Sequence, residues 1–197
     1  MNRTIGRLCS LAFLLVGAPS AAFAQDAGPA PEIAEKVQLC ITCHGGDDGM
    51  PVVEKAPILH GQQLFYMLVQ LRDYRAERRM NDIMTPIAKE LSDDEMKALA
   101  TYFSKLPWPA YREPAADEDV ARAKSLAVEG QCTQCHLGAY VGDSRVPQIA
   151  HQKIAYLDQT TRDFRDGVRN NAPAMAAIVK GWSDEDIAAM AKYLAGL

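Results

Sequence analysis

The chain reads CITCH at 40–44 and CTQCH at 132–136, the same order of two thiols and an imidazole at an offset of 92 residues. A chance recurrence would end there, but the match runs on downstream. PILHGQQLFYMLVQLRDYR (57–75) lies on PQIAHQKIAYLDQTTRDFR (147–165) at an offset of 90. Pro57, Gln62, Tyr66, Arg72, Asp73 and Arg75 thereby meet Pro147, Gln152, Tyr156, Arg162, Asp163 and Arg165, while Gln70 meets Thr160. LSDDEMKALATYFSKL (91–106) lies on WSDEDIAAMAKYLAGL (182–197) at 91. Whatever fold one half adopts, the other is bound to adopt.

Both halves predict the same coarse plan. A helix near 31–43, or 118–134, runs into the CxxCH, followed by a Gly/Pro-containing loop and a helix near 61–78 or 151–166. A polar loop carrying proline leads to a last helix that starts at Ser92 or Ser183, where Ser-x-x-Glu and Ser-x-x-Asp offer capping boxes. Its apolar residues recur every three or four positions: Met96, Leu99, Phe103 and Leu106 in one copy, Ile187, Met190, Ala191 and Leu194 in the other. No strand-like alternation is present, so the expected class is all-α. Between the copies, LPWPAYREPAADED (106–119) is acidic and punctuated by proline, which stops a helix and prevents an early restart.

The first residues differ in kind. Arg3 and Arg7 precede the apolar run LCSLAFLLVGA, and Ala22-Phe23-Ala24 has the small-x-small pattern of a signal-peptidase site. The run is shorter than the roughly 20 residues that a bilayer core needs, so a cleaved secretory signal is expected rather than an anchor. The expected organisation is a signal peptide at 1–24, an N-terminal domain at 25–107, a linker at 108–118 and a C-terminal domain at 119–197. Cleavage removes two Arg and no acid, leaving 19 basic against 25 acidic side chains, a net charge of −6. A nucleic-acid partner needs a basic face, and none is evident.

Five cysteines reduce to four once Cys9 leaves with the signal: Cys40, Cys43, Cys132 and Cys135, every one inside a CxxCH. Two cysteines three apart on a helical turn present both sulfurs to one side, where each can add to a vinyl group of one haem. The following histidine, His44 or His136, then supplies the proximal nitrogen to iron. Zinc ribbons pair their CxxC units at about 15–20 residues rather than across a domain, and a thioredoxin-like dithiol keeps company with a βαβ pattern that is missing here. Two covalently bound haem c groups are therefore expected.

For the sixth ligand the repeat separates the candidates. His60 falls on Ala150 and His151 on Gly61, so these histidines are not equivalent and a surface or loop role is expected for both. Met84 and Met175 each stand in a polar loop eight residues before the serine that caps the last helix. Met190 lies on the apolar stripe and reads as core. A thioether held in a loop suits a distal ligand, which makes Met84 and Met175 the expected partners of His44 and His136. The carbonyls of the Pro57 and Pro147 segments are candidates to accept the other ring N–H of the proximal imidazole, against the alternative of simple turn prolines. Arg75 and Arg165 are candidates for propionate pairing or for solvated helix-end charges.

CITCHGGDDG, the PILHGQ segment, the loop Met84 and the LSDDEMKALATYFSKL helix, each with a counterpart in the second half, resemble a two-haem cytochrome c of the cytochrome c4 family. The dihaem subunit of flavocytochrome c sulfide dehydrogenase is related. The resemblance covers essentially the whole mature chain. It implies two tandem class I cytochrome c domains joined by a Pro-rich linker, and a periplasmic carrier of single electrons that transforms no substrate itself. It implies redox protein partners, namely a membrane oxidase, a quinol-oxidising complex or a dehydrogenase, met by peripheral association with membrane complexes, with electrons passing toward a terminal oxidase. The alternatives are the electron-accepting subunit of a periplasmic dehydrogenase and a dihaem enzyme such as a peroxidase. The second half departs from the pattern in three places: His151 replaces Gly61, CHG becomes CHL, and Pro173 precedes Met175 where Pro86 follows Met84.

Overall fold

Ser92 and Ser183 each close a capping box. The Ser92 hydroxyl accepts the Glu95 N–H at 3.2 Å while the Glu95 carboxylate accepts the Ser92 N–H at 2.8 Å, and Ser183 and Asp186 exchange bonds of 3.1 and 3.0 Å in the same way. These caps satisfy amides that a helix start leaves without partners, so the helices begin where the sequence places them. The structure, a computed structural model, describes residues 28–197; the signal reading at 1–24 lies outside them. A 3-10 turn, Pro31–Ile33, leads into α1 (Ala34–His44), followed by α2 (Leu64–Arg75), α3 (Met84–Lys89) and α4 (Asp93–Lys105). The second half has α5 (Asp117–Glu129), α6 (Cys132–His136), α7 (Ile154–Arg165), α8 (Pro173–Val179) and α9 (Asp184–Gly196). Among the described residues there is no strand beyond an isolated Asp143–Val146 bridge, so the all-α expectation holds. No helix among them is long and apolar enough to cross a membrane.

Each half builds its own core. Ile33, Val37, Met67, Leu68, Met96, Leu99 and Phe103 cluster in the first, with α2 packed on α3 and α4. In the second, Ala123, Ala127, Leu157, Met190, Ala191 and Leu194 cluster where α9 receives α5 and α7. Met190 is core, as its place on the stripe requires. Arg75 ends α2 by donating to the Leu91 carbonyl at 3.2 Å and Asp93 at 2.5 Å, and Arg165 ends α7 on the Trp182 carbonyl at 3.3 Å and Asp184 at 2.7 Å. Both guanidinium groups therefore clamp the start of the last helix, where an acidic first turn is already favoured.

Three local features differ from the sequence reading. Met84 and Met175 lie in short helices rather than open loops, because the prolines nearby occupy first-turn positions whose missing N–H costs nothing. Pro173 opens α8, Pro86 is the third residue of α3, and the Asn81 side chain accepts the N–H groups of Ile83 and Met84 at 3.0 and 2.9 Å. The helix before the second CxxCH is interrupted: Gln131 takes φ 51°, splitting α5 from α6. Gly130 stands at the break, where a Cβ would sit 3.0 Å from Ile178 of α8. His60 is in a loop but buried, its ring 6.0 Å from that of Phe103 and close against Gly49, so it fills the core edge instead of facing solvent.

Where the sequence changes CHG to CHL, the backbone stays left-handed. Gly45 has φ 92° and ψ 145°, and Leu137 has φ 61° and ψ 170°, a region that residues with a Cβ enter at a cost of about 1–3 kcal/mol. Leu137 is also 42% exposed and packs little. Leu137→Gly should therefore raise the stability of the second half by about 1 kcal/mol after the added flexibility of the unfolded chain is subtracted, read as a higher midpoint in guanidinium unfolding. Ser92→Ala and Ser183→Ala should each lower stability by about 1 kcal/mol in the same measurement.

Candidate functional site

Helix α1 carries Cys40, Cys43 and His44 through one continuous turn, and α6 does the same for Cys132, Cys135 and His136. Both imidazoles are buried at 7% exposure. Nδ1 of His44 lies 2.8 Å from the Pro57 carbonyl oxygen, and Nδ1 of His136 lies 3.0 Å from that of Pro147. A carbonyl only accepts, so Nδ1 carries the proton and Nε2 keeps its lone pair for a metal. This is the carbonyl role weighed for the two proline segments, and it recurs in both halves. Burial pushes the pKa of each histidine down, and the carbonyl bond opposes that only in part, so both rings are held neutral, as a ligand requires.

The first thiol of each motif is held neutral too. Burial raises Cys40 to about 11 and also raises Cys132. Among the described residues no three His, Cys, Asp or Glu side chains converge on a point that could hold a metal ion. Two sulfurs on one side of a helical turn and a separate, tautomer-fixed imidazole form a donor set that suits a macrocycle bound through thioethers and one axial nitrogen. They do not form the closed four-ligand cage of structural zinc. The residues present thus fit haem c.

Met84, the first residue of α3, is half-buried against the first core, into which Cys40 and Ile41 also pack. Met175 lies in the first turn of α8 and is half-buried as well. His151 takes the place of Gly61 with φ 58° against 70°, and each donates its N–H to the last helix of its half, His151 to Leu194 at 2.7 Å and Gly61 to Phe103 at 2.9 Å. It is a backbone substitute there.

The two halves meet along a seam, and Tyr66 and Tyr156, for which the sequence left open haem lining, a contact between domains or plain core packing, belong to it. Tyr66 and Tyr156 face it, and each phenol accepts from an arginine of the opposite half at 3.3 Å, Arg169 for Tyr66 and Arg79 for Tyr156. Each guanidinium also lies over an aromatic ring of its own half, Arg79 over Tyr74 at 4.7 Å and Arg169 over Phe164 at 4.3 Å. Gln70 accepts from Arg79, Arg169 and Asn171 at 2.9, 2.9 and 3.0 Å, and Asn171 continues to the buried Asp73 at 2.7 Å. Burial pushes the Tyr66 phenol up. At Tyr156 burial acts the same way, but Arg79 and Arg169 outweigh it and bring the phenol down to about 7. The seam also takes in Gln62 and Gln152, which bond to backbone across it. Recurrence at 90 residues marks Gln62 with Gln152 and Tyr66 with Tyr156 in the sequence, but recurrence does not say that a residue's partner lies in the other copy.

Comparison with known proteins gives the family. A family profile described as cytochrome C oxidase, cbb3-type, subunit III, matches residues 118–194. The chain is 36% identical over 172 residues to the thiosulfate dehydrogenase electron acceptor of Stutzerimonas stutzeri (strain A1501), covering 80% of this chain and 78% of that one. It is 35% identical over 191 residues to cytochrome c4 of Thiocapsa roseopersicina, covering 90% and 96%. The solved structure of reduced recombinant cytochrome c4 from Pseudomonas stutzeri superposes with a TM-score of 0.75 at 30% identity, over 87% of this chain and all of that one. With two CxxCH motifs, a histidine in each tied to a proline carbonyl, and this likeness over nearly the whole described length, the chain belongs to the cytochrome c4 family, dihaem c-type cytochromes that carry electrons and are not enzymes.

Proposed function

We propose that the chain works in the periplasm as a single-electron carrier between respiratory components and delivers toward a terminal oxidase. In this reading Cys40 and Cys43 hold one haem and Cys132 and Cys135 the other; His44 and Met84 ligate the first iron, His136 and Met175 the second. The observation that carries it is the pair of buried imidazoles with Nδ1 tied to a proline carbonyl, at 2.8 Å in one half and 3.0 Å in the other. Bound haem c supplies an iron that takes up and releases one electron at a time. His44 and His136 present a fixed Nε2, and Met84 and Met175 offer a soft thioether that favours the reduced form. Held by these residues, haem c would supply one-electron chemistry with little room for oxygen or peroxide, which would suit transfer. The domains meant here are 25–107 and 119–197, with 108–118 as linker and 1–24 as export signal.

A second reading is that the chain accepts electrons from a periplasmic dehydrogenase. It is favoured by the 36% identity to a protein named as a thiosulfate dehydrogenase electron acceptor. The two readings differ in which partner reduces the protein quickly. Stopped-flow reduction by a quinol-oxidising complex and by a thiosulfate-oxidising dehydrogenase, followed by oxidation with membranes that contain a terminal oxidase, separates them.

The ligand assignment is checked by redox titration of the purified, haem-loaded protein. Met84→Ala and Met175→Ala should each lower the potential of one haem by on the order of 100 mV, about 2.3 kcal/mol of lost preference for the reduced state, and leave the other haem in place. The same substitutions should remove their share of the Met–ferric absorbance near ~695 nm. Titrations that match the unmodified protein would exclude both methionines.

A further inference from the structure

Gln62 and Gln152 are related by the 90-residue offset and almost completely buried, at 4% and 1% exposure. Their side-chain amides reach into the opposite half. Gln152 Oε1 accepts the Ile58 N–H at 2.8 Å and its Nε2 donates to the Ile58 carbonyl at 3.1 Å. Gln62 Oε1 accepts the Gln148 N–H at 2.9 Å and its Nε2 donates to the Gln148 carbonyl at 2.9 Å. The amides are fixed in this sense, because each Oε1 also accepts the N–H of the residue that follows, Gln63 or Lys153, both at 2.9 Å. An amide nitrogen facing two N–H groups would have nothing to accept with.

The N–H of Ile58 belongs to the same peptide group as the carbonyl of Pro57, and the N–H of Gln148 to the same group as the carbonyl of Pro147. Those carbonyls are the acceptors for His44 and His136. A continuous chain of bonds therefore runs from the His44 ring through the Pro57–Ile58 peptide to Gln152, and from the His136 ring through the Pro147–Gln148 peptide to Gln62. Peptide resonance couples the two ends: an acceptor at the N–H makes the carbonyl oxygen more negative, and bonds in such chains strengthen one another by roughly 10–30%. Ile58 is wholly buried, so water does not screen the effect there.

We propose that Gln62 and Gln152 are positioning residues that act across the seam, each fixing and polarising the peptide that orients the proximal histidine of the other half. This rests on the reading of His44 and His136 as iron ligands. A stronger bond at Nδ1–H gives the ring more imidazolate character and makes Nε2 a better donor, which favours the oxidised state. Removing the glutamine acceptor weakens that bond and raises the potential, and it does so in the half that does not contain the substitution.

The experiment is an NMR-monitored redox titration of the haem-loaded full chain, with each haem assigned through resonances of its own CxxCH residues. Gln152→Leu should raise the potential of the haem attached at Cys40 and Cys43 and leave the other unmoved; Gln62→Leu should do the reverse. Gln152→Met and Gln62→Met keep side-chain length without the amide, and replace the leucine variants if those do not accumulate. Asn171→Ala cuts the seam at Gln70 and Asp73 without touching either proline peptide, and it should move neither potential. The relay is overturned if the glutamine variants leave both potentials unchanged, shift the haem of their own half, or shift both haems together, or if Asn171→Ala produces the same shifts. Mass measured on the unmodified protein separates this from the underlying reading: a product without two attached haems removes the ligand assignment, whereas full haem content with no crossed shift removes the relay alone.

Discussion

In each half one hydrogen bond, from a buried imidazole to a proline carbonyl, decides how the rest of the site is arranged. It joins the end of the CxxCH helix to a loop 11 to 13 residues further on. It also fixes which ring nitrogen carries the proton and sets the plane of the ring. The cysteines then need only a helical turn to stand correctly beside that ring, which α1 provides as part of a longer helix and α6 provides almost alone. The loop in turn has to be held, since a carbonyl that drifts no longer selects a tautomer. That is why so many seam contacts end on backbone between Pro57 and Gln62 and between Pro147 and Gln152.

Much of this was legible in the sequence where the cause is local. Capping by Ser92 and Ser183 depends on residues three positions apart, and the buried stripe of the last helix depends on a period of three to four, so both could be read directly. The two CxxCH motifs were legible because two cysteines and a histidine at a fixed short spacing can be read directly. What escaped is long-range. At the interruption Gln131 takes φ 51° beside Gly130, which faces Ile178 of a distant segment. The prolines near Met84 and Met175 read as loop signals, although a first helical turn accepts them equally well. Arg79 and Arg169 look like ordinary cations in the sequence; only the docking of the halves buries them against phenols, amides and rings.

The seam is nearly, but not wholly, two-fold. Tyr66 and Tyr156, Arg79 and Arg169, and Gln62 and Gln152 exchange equivalent bonds. At its centre Gln70 and Thr160 break the symmetry: Gln70 receives both arginines and Asn171, whereas Thr160 receives Arg169 alone at 2.5 Å. A carboxamide oxygen at this point gathers donors from both halves that the hydroxyl of Thr160 does not reach. The two sites therefore share a scaffold and differ in their surroundings, a sufficient physical ground for unequal behaviour.

The departures of the second half fall where a side chain can be absorbed. A Cβ at Gly45 would stand 2.2 Å from the Met50 carbonyl oxygen, so that position is closed to any larger residue in the first half. After Leu137 the tight approach moves to Gly142, where a Cβ would stand 2.3 Å from the Val146 carbonyl oxygen, and the strain at Leu137 remains as a local penalty. Gly61 has Trp108, from the segment between α4 and α5, against it, whereas His151 sits at the matching place with its N–H still bonded to the last helix. Each of these changes can be taken up within one half. The seam pairs have no such freedom, because Gln62 supports the loop of the second half and Gln152 that of the first, so a change in either falls on the site of its neighbour.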